Sequence, residues 1–294
     1  MTSDPAEAVT GDSAEATAKD PTAAKTMSPS GVKASDEAAA EAAGEGGDGL
    51  AREPLFDIPY VVADLPTASE AFVQLALHTH SPRLIAHSDV HLLTRMLHEE
   101  DYGRGMRDFD AICPDGMPLV WLLRRKGRSA SRLYGPDMME WMWKEGRRVG
   151  LRHYLLGGSE ESIRLLQQRL GERYPGVQIA GHYCPPMPPW PEGEDERILA
   201  ALRESGAHCI WVGLGCPRQE RWLYTHKSEL PPGLYFGVGA AFNFHAGLVR
   251  QAPRWVRRCG LEWLFRLACE PRRLFRRYLV HNTRFLLDLI TRRP

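Results

Sequence analysis

The sequence predicts an α/β fold: a mostly parallel β-sheet with helices on both faces. Three observations predict it. From about residue 55, short apolar runs alternate with longer stretches of helical periodicity, the rhythm that builds parallel sheets. Several of the short runs end in Gly or Asp, as in His87-Ser88-Asp89, Pro114-Asp115-Gly116, Gly157-Gly158 and Gly213-Leu214-Gly215. A composition of 43% hydrophobic and 25% charged residues over 294 residues is that of a globular chain with enough apolar area for a core.

Strands are expected at 60–63, 83–87, 111–113, 153–156, 178–183, 209–213 and 235–238. Helices are expected between them at 67–78, 90–99, 118–125, 136–148, 160–174, 194–205 and 218–230. In an open sheet of this kind, ligands bind beyond the carboxyl ends of the strands. The loops bearing Gly and Asp are therefore where chemistry is expected.

Charge divides the chain into three parts. Residues 1–50 carry 13 Ala, no aromatic residue, and 3 Lys against 10 Asp and Glu. Such a segment lacks the apolar area to offset the entropy of ordering, so an acidic disordered tail is expected, with an Ala-rich helix near 34–43 as the alternative. Its acids and the lack of an apolar segment also argue against a signal peptide. The α/β core is assigned to 55–248. Residues 249–294 form a basic appendage, in which 250–294 hold 12 Arg, no Lys and 3 acids. From Arg272 onward, Leu274, Tyr278, Phe285, Leu286, Leu289 and Ile290 share one helical face, with Arg273, Arg276, Arg277 and Arg284 on the other. Two readings stand: a last helix packed on the domain, and a basic amphipathic helix lying on an anionic membrane surface. Arginine in place of lysine favours phosphate, which guanidinium grips through paired hydrogen bonds. No run approaches the ~18 apolar residues of a membrane span. The six cysteines lack CxxC spacing and read as reduced thiols.

The motifs narrow the chemistry. Neither GxGxxG nor a P-loop is present, which disfavours a nicotinamide enzyme. Asp108-Phe109-Asp110 is a DxD, but Asp110 leads straight into a strand, and metal binding there is not expected. No pair of His or Cys has a second pair at zinc spacing. In PDGMP (114–118), Asp115 stands at a strand tip ahead of a Gly turn and a helix. It is either a general base facing the ligand crevice or a helix N-cap. GLGCPRQERW (213–222) offers a Gly turn and a polar helix start suited to phosphate or sugar. GVGAAFNFHAG (237–247) places Asn243 and His245 after a strand, where each is a base or sugar contact or part of a local turn.

With PDGMP, the blocks RLYGPDMM (132–139), YLLGGSEES (154–162), GHYCPP (181–186), WVGLGCPRQERW (211–222), GVGAAFNFHAG (237–247) and GLEWLFRLACEPRRLFRRYL (260–279) occur in this order. Together they resemble the WecG/TagA/CpsF family of bacterial glycosyltransferases, glycosyltransferase family 26, over roughly 60–290. The resemblance implies a Rossmann-like core with a C-terminal appendage that docks on the membrane. It implies inverting transfer from a UDP-sugar to a sugar on a polyprenyl diphosphate, without metal or cofactor, peripheral on the cytoplasmic face of the cell membrane. Products of the family are precursors of teichoic acid linkage units, enterobacterial common antigen or exopolysaccharide. Carried over by motif, the base is Asp115. Arg132 and Asp137 of RLYGPD, Gly158 of YLLGG and Gln219 of PRQE bind substrate, as do Arg266, Arg273 and Arg276 of the appendage. Without a metal, arginines must neutralise the leaving diphosphate.

Two positions depart from the family pattern. Where many members have Thr-x-Asn, this chain has His87 and Asp89, and Asn243 stands where many have Asp. Both lie in the expected pocket and suggest a donor or acceptor sugar different from that of teichoic acid or common-antigen enzymes, which points to exopolysaccharide assembly; UDP-N-acetylmannosamine, its uronic acid and UDP-glucose are the donors considered. His87 either shares proton transfer with Asp115 or hydrogen-bonds the sugar. Competing readings are a soluble nucleotide-sugar epimerase or dehydrogenase, which would need the missing dinucleotide fingerprint, and an Arg-rich nucleic-acid-binding protein. In the latter, aromatics would interleave with the arginines; here they sit on the apolar face, so no nucleic-acid partner is expected. A homo-oligomer is left open.

Overall fold

The structure, a computed structural model, describes residues 47–292 and 294. The tail expected at 1–50 lies outside the described residues as far as residue 46. Residues 47–50 already belong to the domain: Leu50 is buried in the core, and Asp48 pairs with Arg52 at 2.7 Å. Residues 47–50 thus pack on the domain ahead of the expected boundary at 55.

A hairpin opens the domain. Its strands β1 (Arg52–Leu55) and β2 (Ile58–Val61) are joined through Phe56 and Asp57 at φ 51° and 62°. Such two-residue turns favour Asn-Gly or Asp-Gly. With no Gly to mark the turn, the sequence revealed only the second strand.

The alternation then runs as expected. Helix α1 (Leu65–His78) is followed by β3 (Pro82–Ser88), α2 (Val90–His98), the short α3 (Glu100–Gly105), β4 (Ala111–Pro114), α4 (Met117–Arg125) and α5 (Gly135–Gly146). The second half runs β5 (Arg152–Gly157), α6 (Glu160–Arg173), β6 (Gln178–Tyr183), α7 (Glu194–Ser205), β7 (Cys209–Gly213), α8 (Arg218–Thr225), β8 (Gly233–Gly237) and the short α9 (Ala241–His245). Local chemistry sets several starts. Asp64 and Asp89 accept from Thr67 N and Leu92 N at 2.9 Å, and Ser159 with Ser162 makes a capping box, devices worth about 1 kcal/mol each. Helix α8 stops five residues before the expected end, where the chain turns through His226, whose carbonyl accepts from Glu229 N and Leu230 N.

Among the described residues, eight strands lie in the order β1-β2-β4-β3-β8-β7-β5-β6, all pairs parallel except β1 with β2. Adjacent residues point to opposite faces. Ile85, Trp211 and Phe236 meet α1, α5 and α6, whereas Leu84, Ile210 and Tyr235 meet α2, α7 and α8. Trp211 stacks on Phe236 at 4.5 Å, and Phe72 meets Phe236 edge-on at 5.6 Å.

Among the described residues the appendage holds three helices, α10 (Arg254–Arg258), α11 (Glu262–Cys269) and α12 (Pro271–Thr291). The single apolar face expected on α12 is divided. Leu274 and Phe285 are buried, and Tyr278 is half-buried, while Leu286 and Ile290 are exposed together with Phe275 and Leu279. The inward face also carries polar groups: His281 meets Thr94 Oγ1 at 2.6 Å, and Asp288 meets His98 at 2.9 Å. One side of the helix thus packs on α2, and the next carries exposed apolar side chains. By the helical angle, Phe275, Leu279, Leu286 and Ile290 fall within about 60° of arc.

Candidate active site

Asp115 follows directly on β4. Its backbone N–H donates to Ser88 O at 2.8 Å, continuing the ladder to β3, so the side chain leaves from the sheet's carboxyl edge. The N-cap of α4 is Gly116, with no side-chain cap bond; the Asp115 carboxylate is therefore not spent as a cap. Arg132 holds it instead, donating to Oδ1 from Nη2 at 2.9 Å and from Nε at 3.2 Å. Arg132 also donates to the Asp115 carbonyl. Burial pushes the Asp115 carboxyl up; Arg132 opposes this, Glu262 and Asp89 add to it, and the result is about 7.

Arg132 is itself fully engaged. Its Nη1 lies 2.7 Å from Glu262 Oε2, and its guanidinium sits over the Tyr134 ring at 4.0 Å. The Tyr134 hydroxyl donates to Glu262 Oε1 at 2.9 Å. Arg132 thus contacts Asp115 rather than standing free in the cleft.

His87 and Asp89 close β3. His87 is buried, and its Nδ1–H donates to Leu133 O at 2.9 Å. That bond leaves Nε2 as an acceptor, and Nε2 is buried without a partner. Burial drives the imidazole down to about 4, against the carbonyl's opposing pull, so the ring is neutral at pH 7. Asp89 caps α2 through Oδ1 and meets Arg277 through Oδ2 at 3.1 Å. Burial works against its charge, but Arg277, His91 and the Leu92 N–H outweigh it and hold the carboxyl below its usual range.

The turns after β7 and β8 are bound together by Gln219. Its Oε1 accepts from Gly215 N and Gly239 N, both at 3.1 Å, while its Nε2 donates to Glu220 at 2.6 Å. Gln219 is buried among these turns, and a Cβ on Gly237 would come within 2.9 Å of its Nε2. Asn243 lies in the same cleft, and Gly158 lies beside a neighbouring one at the ends of β5 and β7. Gly158 has φ 76°, and a Cβ there would sit 2.8 Å from Ser162 Oγ.

Of the appendage arginines, Arg266, Arg273 and Arg277 line the polar cleft. Arg266 lies over Phe244 at 5.7 Å, and Arg273 is exposed beside Glu270. Arg276 is exposed and lines neither that cleft nor the apolar cavity described next. Asp137 receives Arg257 at 3.0 Å and ties α5 to α10; it too lies outside the clefts. Asp110 of the DxD sits at the opposite, amino end of β4, paired with Arg83 at 2.9 Å and Lys227 at 3.2 Å. Sequence reasoning missed Glu262, Tyr134 and Arg277. Glu262 had a visible signal, an acid in a strongly basic segment; Arg277 had none, because only the packing phase of α12 separates it from Arg276.

Two cavities meet at this point. The polar one, about 300 Å³, is floored by the Gly turns of β7 and β8 and walled by the three arginines. The other, about 500 Å³, runs between α4 and α12 past Trp121, Trp263, Phe285 and Leu289. Asp89, Asp115 and Arg266 line both. A carboxylate raised to about 7 therefore stands between an arginine-walled chamber and an apolar one.

Comparison with known proteins agrees with this geometry. The family model described as "Glycosyl transferase WecG/TagA/CpsF family" matches residues 54–294. A Bacillus subtilis (strain 168) protein named N-acetylglucosaminyldiphosphoundecaprenol N-acetyl-beta-D-mannosaminyltransferase is 24% identical over 221 residues, covering 74% of this chain and 84% of the relative. A Staphylococcus aureus (strain NCTC 8325 / PS 47) protein of the same name is 26% identical over 211 residues, 71% of this chain and 78% of its own. The match spans the sheet, both cavities and the Arg-rich helices alike, and the chain belongs to the WecG/TagA/CpsF family of glycosyltransferases.

Proposed function

We propose that the protein transfers a sugar from a UDP-sugar to the sugar of a polyprenyl-diphosphate-linked acceptor, inverting the anomeric carbon in a single displacement. The observation that carries this reading is the junction of the two cavities at Asp115. The donor's diphosphate lies in the polar chamber against Arg266, Arg273 and Arg277, and its nucleoside extends toward the cavity lined by Gly158, Trp190 and Trp222. The acceptor approaches along the apolar cavity, with its sugar hydroxyl at Asp115 and its lipid between α4 and α12. Asp115 takes the hydroxyl proton as the oxygen attacks the anomeric carbon, and UDP departs with its charge neutralised by the arginines. Neutral His87 offers Nε2 as an acceptor for a sugar hydroxyl.

The protein acts from the cytoplasmic face of the membrane, where nucleotide sugars are made. Support comes from the exposed stripe on α12 and from Trp255, Trp263 and Leu264, which place apolar side chains beside arginines, the composition of an interfacial helix. Among the described residues, no helix is long and apolar enough to cross a membrane.

The test is UDP release with farnesyl-diphosphate-linked N-acetylglucosamine as acceptor and UDP-N-acetylmannosamine, its uronic acid or UDP-glucose as donor. The expected result is acceptor-dependent release with one of the three. No transfer from any of them would count against the reading. The first donor and the acceptor are chosen because the relatives' names give that pair of sugars.

A further inference from the structure

Glu262 is a buried acid in a segment that holds 12 Arg and 3 acids. It opens α11 and lines the same cavity as the candidate base. Its Oε1 accepts from the Tyr134 hydroxyl at 2.9 Å, and Oε2 lies 2.7 Å from Arg132 Nη1 as an ion pair without hydrogen-bond alignment. The same guanidinium reaches Asp115 through Nη2 at 2.9 Å. One cation is therefore shared by two carboxylates, with its flat face against the Tyr134 ring at 4.0 Å.

We propose that Glu262 is a positioning residue for Asp115: by taking one edge of the Arg132 guanidinium, it keeps that cation from pairing wholly with Asp115 and so preserves a basic, oriented carboxylate at the junction of the cavities. The inference rests on the reading of Asp115 as the general base. Arg132 already donates to Asp115 Oδ1 from Nε and Nη2; without the Glu262 charge on Nη1, the whole cation would act on Asp115 and make it a weaker base. With Glu262 in place, Arg132 orients the Asp115 carboxylate but divides its charge. A base works best when its affinity for protons lies near the working pH.

Other charged groups also face Asp115. Asp89 at the end of β3 acts in the same sense as Glu262. Arg266, Arg273 and Arg277 line the polar side with Glu220 and neutral His87, and Arg257 lines the apolar side with neutral His91 and His281. Glu262 differs from all of these in contacting the same guanidinium as Asp115.

The experiment measures kcat and KM against pH for Glu262→Gln, Glu262→Asp and Asp115→Asn, with UDP-N-acetylmannosamine and farnesyl-diphosphate-linked N-acetylglucosamine. Glu262→Gln keeps the shape and a partner for Tyr134 but removes the charge. Its acid limb is expected to move to lower pH, with the kcat plateau down about tenfold and donor KM unchanged. Glu262→Asp restores the limb toward wild type, which guards against a folding defect in the Gln variant. An unmoved limb in Glu262→Gln, beside an inactive Asp115→Asn, overturns the positioning role and leaves the base reading intact. An active Asp115→Asn overturns both.

Discussion

Arg277 Nη2 lies 3.1 Å from Asp89 Oδ2, while the other oxygen of that carboxylate caps α2 by accepting from Leu92 N at 2.9 Å. One side chain thus ends a strand, starts a helix and anchors the longest appendage helix at the mouth of the polar chamber. Arg276, one residue earlier, points about 100° away and is exposed.

That one-residue phase gives the first prediction. Arg277→Ala is expected to lower kcat about 10²-fold, the scale for losing one group that stabilises transition-state charge. Arg276→Ala should stay within about twofold, because a solvated arginine contributes little. Steady-state kinetics with a farnesyl acceptor compare them; equal losses would contradict the placement of α12.

Asp115→Asn is expected to reduce kcat by about 10²–10⁴-fold with donor affinity kept, since a positioned base contributes that much. Calorimetric titration with UDP alone checks the binding. In the wild type, kcat/KM should rise with pH through about 7, where Asp115 of the free enzyme deprotonates. His87, held down to about 4, is already neutral there and adds no limb.

The same substitution should stabilise the fold at alkaline pH. Asp115 titrates at about 7 in the folded chain against its ordinary 3.8. Between those values the folded state holds a proton that the unfolded state has released, so this group's contribution falls as pH rises and stays lost above 7. Asn carries no such cost. Thermal melting should show Asp115→Asn raised by about 5 °C at pH 8 and little changed near pH 4.

Four histidines predict acid lability of the whole domain. Burial holds His87 and His281 at about 4 and His91 and His153 at about 3, against an ordinary 6.5. From pH 6.5 down to 4 the unfolded chain gains protons that the folded chain refuses, so stability is lost as pH falls. Asp115 and Glu220, whose carboxyl burial also pushes up, work the other way in this window but are two groups against four. Tm should decline steadily from pH 6.5 to 4.5; a flat profile would contradict the buried, neutral histidines.

The two sides of α12 should fail differently. Leu274 is 1% exposed, and Leu274→Ala should cost about 2–5 kcal/mol, lowering Tm whether or not lipid is present. Ile290 is 81% exposed; Ile290→Glu should leave Tm alone. It should weaken flotation with anionic phosphatidylglycerol vesicles and slow turnover on long-chain acceptors, sparing a farnesyl one.

Much of the molecule was determined by the chain itself. Apolar runs buried on both faces, Gly at strand ends and Asp or Ser at helix starts are local facts, and local facts set the alternation of β3 to β8 with their helices. They also placed Asp115, His87, Asp89 and Gln219 at one edge, because in a parallel sheet every strand's carboxyl end faces the same way. The β1–β2 turn escaped notice because Phe56 and Asp57 adopt positive φ without a glycine to mark it. What only tertiary structure decided is which partner each charge meets. Whether Arg276 or Arg277 faces the cleft depends on how α12 seats Leu274 and Phe285 against the domain. Likewise, Arg132 and Glu262 are 130 residues apart, and their pairing, with Asp115 as the third member, exists only because α11 folds back over the end of β4. Periodicity shows which face of a helix is apolar; it carries no information on what that face, or the charge beside it, will touch.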